Sequence, residues 1–351
     1  MKVLITGATG YLGAAILRRL LDDGIEVQAL VRTAAQKASL EEMGCPSFVG
    51  TVGDPNEVAA AAAGCTVIVH AAAVTSARSA RRALDWTNIA GTENVLTAAR
   101  HAHVRRVVYI SCSDVTLSNE HRVHWNEDRT NSHPLLDAHA ESKRLAEDLV
   151  LPASGNDLET IAIRPALVWG PGDHTTLPAL CREALENNGL TLFGDGRNLV
   201  STLYIDNFVD AVVAALDAEG AAGRAYYIAD VEFLEAREFY GKLSFAAHLP
   251  RPRGGLGFEI SYLMAALREW RGAEGPRRAD VVRRAKGSHF DTQNARTKLG
   301  WEPRVSIEDG MLALEAWVEQ QGGAAAVAKL QRPAVTADSV DAQVEKANRA
   351  A

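Results

Sequence analysis

The first chemistry the chain could do is set by three glycines. Met1-Lys-Val-Leu-Ile-Thr-Gly7-Ala-Thr9-Gly10-Tyr11-Leu12-Gly13 runs from an apolar stretch of strand length straight into Gly7, Gly10 and Gly13. Leu12, Ile16, Leu17, Leu20 and Leu21 then recur at helical spacing. A strand, a glycine turn and a helix start together form an anion site. Free N–H groups point outward there, and no side chain keeps a pyrophosphate from the backbone. The spacing is GxxGxxG, one residue wider at its first step than the common dinucleotide fingerprint GxGxxG. The expected dinucleotide contacts in this segment are Gly7, Thr9, Gly10, Tyr11, Leu12 and Gly13. The end of the second strand should choose the cofactor. An acidic side chain there accepts ribose hydroxyls in NAD sites, whereas an arginine receives the extra phosphate of NADP. Ala29-Leu-Val-Arg32-Thr33 carries no carboxylate, so Arg32 points to NADP ahead of NAD.

Other reactive side chains carry less. Cys45, Cys65, Cys112 and Cys181 lie far apart without a CxxC pair, which supports neither a metal nor a disulfide framework. His121 and His124 stand three apart and His133 follows. A metal site would still need a ligand such as Glu127 or Asp128, and solvated loop histidines are the expected case. Arg78, Arg81 and Arg82 could meet an anion, but a solvated helix face is the simpler reading.

The elements that must position these residues alternate between strand and helix over residues 1–165, as in a parallel sheet covered on both faces. Val27–Val31, Phe48–Val49, Thr66–His70, Arg106–Ile110 and Thr160–Arg164 read as strands. Helices are expected at Ala34–Met43, after Asp54-Pro55 (an N-cap followed by a first-turn proline), around Asn88–His101 and near Ala138–Val150. The fold class is therefore α/β, a Rossmann-type doubly wound parallel sheet with a smaller C-terminal α/β part for substrate. Residues 1–165 form the dinucleotide-binding domain, with strands around 201–229 returning to it. Residues 166–321 form the substrate part, and 322–351 a weakly packed, Ala-rich extension.

Composition agrees with an ordinary soluble enzyme. The 351 residues carry a net charge of −7 with dispersed basic side chains, which argues against a nucleic-acid surface. No apolar run reaches membrane-spanning length, and the chain starts at once with a strand, leaving no room for a signal peptide. A reducing cytoplasm is the expected setting. A small-molecule substrate is the expected partner, and homodimerisation is left open.

Further motifs follow in order: His70-Ala71-Ala72-Ala73, Asn88-Ile-Ala-Gly-Thr-Glu-Asn-Val-Leu96, Val108-Tyr-Ile-Ser-Cys-Ser113, Ser142-Lys143, Arg164-Pro165, Val168-Trp-Gly-Pro-Gly-Asp173, Gly194-Asp-Gly196 and Tyr204-Ile-Asp-Asn207. Phe290-Asp291, Leu299-Gly-Trp-Glu-Pro303 and Val305-Ser-Ile-Glu-Asp-Gly310 complete them. Over residues 1 to 320 the series resembles the extended short-chain dehydrogenase/reductases (the NAD-dependent epimerase/dehydratase superfamily). It is nearest the branch of hydroxysteroid dehydrogenase/isomerases and dihydroflavonol reductases. The resemblance implies that Ala71, Ala72 and Ala73 line the cofactor and that Pro165 and Val168 wall the nicotinamide. It implies that Ser113 hydrogen-bonds the reacting oxygen and that Lys143 holds the nicotinamide ribose. A hydroxyl donor and a cation would then face the oxygen on which charge develops. Strand alternation should turn Cys112 away from that centre.

Two departures stand out. Val49-Gly-Thr51-Val52 lacks the aspartate that relatives often use for the adenine, so Thr51, with Val52 beside it, must serve there or the contact is lost. The family's tyrosine, one helical turn before its lysine, is replaced by His139. Lys143 and burial both disfavour imidazolium, so His139 should be mostly neutral, a good base and a fair acid. Phe258, Ile260, Tyr262, Leu263, Ala266, Leu267 and Trp270 form an apolar helical face, expected to pack on the core or to cap an apolar substrate. Leu167, Trp169 and Leu177 add to that expectation. The reading is an NADP-dependent oxidoreductase on the hydroxyl or keto group of a small hydrophobic compound, with Ser113, His139 and Lys143 at its centre. The alternatives are an epimerase, dehydratase or isomerase using His139 as base, and an inactive dinucleotide-binding regulator.

Overall fold

The computed structural model describes residues 1–75, 79–129, 135–231, 234–273 and 275–330. Its centre is a seven-stranded sheet built from β1 (Lys2–Thr6), β2 (Glu26–Val31), β3 (Ser47–Val49), β4 (Val67–His70), β5 (Arg106–Ile110), β6 (Glu159–Pro165) and β7 (Arg224–Ile228). The spatial order is β7-β6-β5-β4-β1-β2-β3, and every pairing is parallel. The chain leaves β1 in one direction and returns to β4 on the other side, so a crevice opens between their carboxyl ends. Val3, Leu4, Ile5, Val67, Ile68, Val69 and Ile161 to Ile163 are almost wholly buried. Such unbroken apolar runs suit strands covered on both faces.

The covering helices are α1 (Tyr11–Asp22), α2 (Ala34–Glu42), α3 (Pro55–Ala62), α4 (Arg81–Leu84), α5 (Gly91–His101) and α6 (Ala138–Val150). Asp54 caps α3 by accepting from the N–H groups of Asn56 and Glu57, as the Asp-Pro pair predicts. A π-helical segment, Asp85–Ala90, joins α4 to α5 and holds Asn88 wholly buried. The helical pattern in the sequence pointed only to Asn88–His101, because a π turn breaks the 3.6 period.

Beyond β6 the chain builds smaller layers. Leu167–Trp169 pairs with Thr202–Tyr204 in a separate two-stranded sheet, so of the returning segment only β7 rejoins the central one. A four-stranded sheet sets Arg122–Trp125 beside Ser288–Phe290. The segment between Ser113 and His139 is thereby fastened to the C-terminal part. Trp169 and Leu177 are buried, with Trp169 packed on Tyr204 and Phe239. They belong to the core, contrary to the expectation that they face substrate, because the strand carrying Trp169 is paired rather than looped. The helix Phe258–Trp270 also differs from expectation. It buries Ser261 and Ala265, while Ile260, Leu263, Met264, Leu267 and Trp270 are exposed. Its inner face, through Phe258 and Tyr262, packs on Leu117, Leu136, Ala279 and Val282.

The start of the C-terminal extension is packed rather than loose. Ala324 and Val327 are buried, and the Arg182 guanidinium donates to the Ala328 carbonyl at 3.0 Å. Small alanines let this short helix sit close to the helix Thr176–Glu186. Residues 331–351 lie outside the described residues. Among the described residues, no helix is long and apolar enough to cross a membrane.

Candidate active site

The glycine turn is packed backbone to backbone. Gly7 adopts φ +77°, and a Cβ there would lie 2.6 Å from the Ala72 nitrogen. A Cβ at Gly13 would lie 2.2 Å from the Gly7 carbonyl oxygen. Gly10 occupies the N-cap of α1, and no side chain caps that helix start. Its first-turn N–H groups are thus left for an anion. These features fit a dinucleotide pyrophosphate. Across the crevice, Ala71 N donates to Thr6 O at 3.1 Å and Ala72 N to the Thr6 hydroxyl at 3.2 Å.

His70 holds this wall, a role the sequence did not disclose. Thr92 donates its hydroxyl to Asn88 O at 2.6 Å, so it accepts from His70 Nε2 at 3.0 Å. Nδ1 is then left to accept from the Thr6 hydroxyl at 2.7 Å. Burial pushes the His70 pKa down to about 3. The unfolded imidazole titrates near 6.5, so this group favours folding above that pH, and the contribution is lost as pH falls toward 3. His139, discussed below, acts in the same direction. Urea midpoints of the parent are therefore expected to fall between pH 6.5 and 4. His70→Gln should flatten that fall by up to about 1.4 kcal/mol per pH unit. An identical slope in the variant would refute the assignment.

Arg32 is exposed just past β2, and no ion pair engages its guanidinium among the described residues. Gln36, unnoticed in the sequence, links it to the glycine turn by accepting from Arg32 N at 2.9 Å and donating to the Thr9 hydroxyl at 3.3 Å. At the far end of the crevice, Thr51 Oγ1 accepts from Gly53 N at 3.3 Å, and Val52 is buried. The Trp86 indole packs so closely on Gly53 that a Cβ there would lie 2.1 Å from its Nε1. Tyr11 is buried, its ring edge-on to His174. Pro165 ends β6 opposite Ile228, and Val168 follows in the strand Leu167–Trp169.

α6 carries the candidate side chains His139 and Lys143. Asp137 caps it, accepting from His139 N at 2.8 Å and Ala140 N at 3.4 Å. His139 is half-buried and Lys143, one turn on, is buried. The Lys143 ammonium donates to the Ile110 carbonyl and stands 4.1 Å from the centre of the Tyr109 ring. Burial lowers its pKa to about 8. Asn88 braces the helix from the π segment. It donates to Val74 O at 3.0 Å and Ser142 Oγ at 2.8 Å, and it accepts from Val74 N at 2.8 Å. Burial above all, then the Lys143 charge and Arg283, lower the His139 pKa to about 4, while Asp137 and Asp114 work the other way. The imidazole is therefore neutral at pH 7.

Ser113 opens a 3₁₀ turn, Ser113–Thr116, and its carbonyl accepts from Arg122 at 2.7 Å. Burial pushes the Cys112 thiol up to about 12, with the Lys143 charge acting the other way. The chain stays extended through Cys112, with Ser111 N donating to Ile163 O at 2.8 Å, before it turns at Ser113. His139, Lys143, Cys112 and Asp114 thus share one electrostatic cluster at the carboxyl end of β5, with Ser113 between the last two in the chain.

Several other candidates have structural partners. His121 Nδ1 accepts from Gly287 N at 2.8 Å, and His124 stacks edge-on against His289. Glu127 accepts from Tyr227 N at 2.8 Å and Asn294 at 2.6 Å. Arg81 pairs with Asp85 at 2.7 Å and Glu141 at 2.8 Å. Arg78 and His133 lie outside the described residues.

A model of the 3-beta hydroxysteroid dehydrogenase/isomerase family matches residues 4–250. The chain belongs to this family. It is an oxidoreductase of the short-chain dehydrogenase/reductase type, a dehydrogenase or reductase of hydroxyl or keto groups. A relative from Stenotrophomonas maltophilia named 2-alkyl-3-oxoalkanoate reductase is 34% identical over 330 residues, covering 90% of this chain and 99% of the relative. A Stigmatella aurantiaca ketoreductase, named for 4-hydroxy-2-methyl-3-oxo-4-farnesyl-3,4-dihydroquinoline-1-oxide, is 32% identical, covering 90% of this chain and 96% of the relative. Among solved structures, a Thermotoga maritima UDP-glucose 4-epimerase with UDP-glucose superposes at TM-score 0.73 and 20% identity, covering 91% of this chain and 99% of that one. MoeE5 in complex with UDP-glucose and NAD gives 0.73 at 20% identity, covering 92% of this chain and 100% of the other. At such identities these structures speak for the fold alone.

Proposed function

We propose that the chain interconverts a hydroxyl and a keto group on a small apolar substrate with NADP(H), using His139 where its family uses tyrosine. The observation that carries this reading is the placement of His139 one turn from Lys143, beside the chain leaving β5. The bound nicotinamide would supply or accept the hydride. The chain's own part is to manage the oxygen and its proton. A neutral imidazole accepts the hydroxyl proton on oxidation, and the Lys143 charge favours the developing alkoxide. Ser113 supplies a further donor. Gly7, Gly10, Gly13 and Ala71 to Ala73 would hold the pyrophosphate and ribose, with Thr51 and Val52 at the adenine and Pro165 and Val168 at the nicotinamide.

Leu117, Leu136, Phe258, Tyr262 and Val282 form a small apolar cluster directly beyond Thr116 and before the Asp137 cap. That cluster is core packing beside the candidate site; support for an apolar substrate comes from relatives named for a 2-alkyl-3-oxoalkanoate and for a farnesyl-bearing 3-oxo compound. The test is absorbance at 340 nm with apolar 3-keto acids and their alcohols, each with NADP(H) and NAD(H). Net cofactor turnover is expected. Substrate isomerised or dehydrated without it would favour the epimerase or dehydratase reading instead.

Cofactor choice has its own test. NADP should bind more tightly than NAD, and Arg32→Asp should reverse much of the preference by removing the phosphate's partner and adding a carboxylate for the ribose. Calorimetric titration of both nucleotides into both proteins measures this. Equal affinities in the parent would end the assignment of Arg32.

A further inference from the structure

A half-buried arginine from the C-terminal part grips both halves of the candidate cluster. Arg283 lies on the helix Arg278–Ala285, and its guanidinium spends every nitrogen on a carboxylate. Nε donates to Asp114 Oδ2 at 2.6 Å, Nη1 to Asp280 Oδ1 at 3.1 Å, and Nη2 to Asp137 Oδ2. Asp114 follows Ser113 in the turn leaving β5. Asp137 is the cap of α6, and its other oxygen holds the His139 N–H. Arg122, from the strand Arg122–Trp125, supports the same turn by donating to Ser113 O at 2.7 Å and approaching Asp114 at 3.5 Å. Of the partners of Arg283, Asp114 and Asp137 stand 169 and 146 residues away in the chain.

We propose that Arg283 is a positioning residue for the reaction. It draws the β5 exit and the start of the catalytic helix into one geometry and offsets two carboxylates that would otherwise act on His139. Its use for the kinetic step rests on the reading of His139 given above. The electrostatic part does not.

The charged groups acting on His139 come from three elements. Asp137 and Lys143 lie at or in its own helix, Asp114 lies on the turn, and Arg283 lies on the C-terminal helix. Lys143 and Arg283 disfavour imidazolium, whereas Asp114 and Asp137 favour it. Replacing Arg283 by a neutral side chain removes one cation, takes the guanidinium from Asp137 and leaves Asp114 with Arg122 alone at 3.5 Å. These changes have the same sign, raising the affinity of His139 for a proton. A guanidinium that bonds two carboxylates in fixed directions is also poorly replaced by an ammonium, which keeps charge and loses the fork.

The test is an NMR titration of the full chain labelled at histidine, with the His139 signal assigned by its loss in His139→Gln. In Arg283→Met the His139 titration is expected to move up by about one pH unit or more. Arg283→Lys should leave it near the parent value while lowering turnover through the lost fork. Asp114→Asn should move it down, the opposite sign, and serves if the methionine variant fails to fold. The acid limb of the rate profile should move with the NMR titration in each variant. An unchanged His139 titration in Arg283→Met, or in Asp114→Asn where that must stand in, would overturn the proposal. NMR shifts of the expected signs without any kinetic limb would leave Arg283 in place and remove His139 from catalysis.

Discussion

His139→Phe is expected to cut turnover about 10²- to 10⁴-fold, the usual worth of a positioned acid or base, while nucleotide affinity stays near that of the parent. Phenylalanine keeps a flat ring on the same turn of α6 and removes both nitrogens. The helix should survive, because its N-terminus is held by the Asp137 carboxylate accepting from backbone N–H groups rather than by the imidazole. Turnover and calorimetric nucleotide binding, measured on the same preparation, separate chemistry from cofactor capture. His139→Tyr restores the family's phenol beside Lys143, and the adjacent ammonium should favour its ionised form. Ketone reduction in that variant is expected to exceed that of the phenylalanine variant. If the phenylalanine variant turns over as fast as the parent, His139 has no part in the reaction.

The second large effect belongs to Gly13→Ala. Helix propensity alone says that alanine within α1 should stabilise by about 1 kcal/mol. The structure demands the opposite sign, because the added Cβ would lie 2.2 Å from the Gly7 oxygen and 3.1 Å from the Ala8 Cα. Both obstacles are backbone, so neither can rotate aside. The turn must open, and overpacking of this kind costs about 1–3 kcal/mol. A displaced turn also moves the N–H groups meant for the pyrophosphate. Dinucleotide affinity is expected to fall at least tenfold, about 1.4 kcal/mol. Thermal unfolding and nucleotide titration check the two halves separately. A more stable variant that binds nucleotide normally would contradict the close packing of α1 on the turn.

The dinucleotide half was legible in the sequence for local reasons. Unbroken apolar runs marked strands covered on both faces, and Asp54-Pro55 marked a helix start that the Asp54 carboxylate does cap. A helix was expected near Ala138–Val150, and α6 runs there. What escaped was of two kinds. The π segment Asp85–Ala90 departs from the period on which helix reading depends, so the inward turn of Asn88 left no trace. Arg283 drew no notice in the sequence, because Asp114 and Asp137, the two carboxylates it holds beside His139, come from distant parts of the chain. Apolar residues misled where burial had to be guessed. Trp169 was expected near the substrate and is core, whereas Leu263 and Trp270, expected to pack on the core or to cap a substrate, are 70% and 81% exposed.

The central claim, that a neutral His139 accepts the substrate proton beside a charged Lys143, is tested most directly by the pH dependence of alcohol oxidation in the parent. Burial, Lys143 and Arg283 hold imidazolium down, so the rate should rise with pH through a limb below 6.5. It should fall again near pH 8, as the buried Lys143 ammonium loses its proton. The acid limb should disappear in His139→Phe, leaving only a slow residual rate. A profile with no acid limb, or one whose acid limb persists unchanged in that variant, would contradict the account.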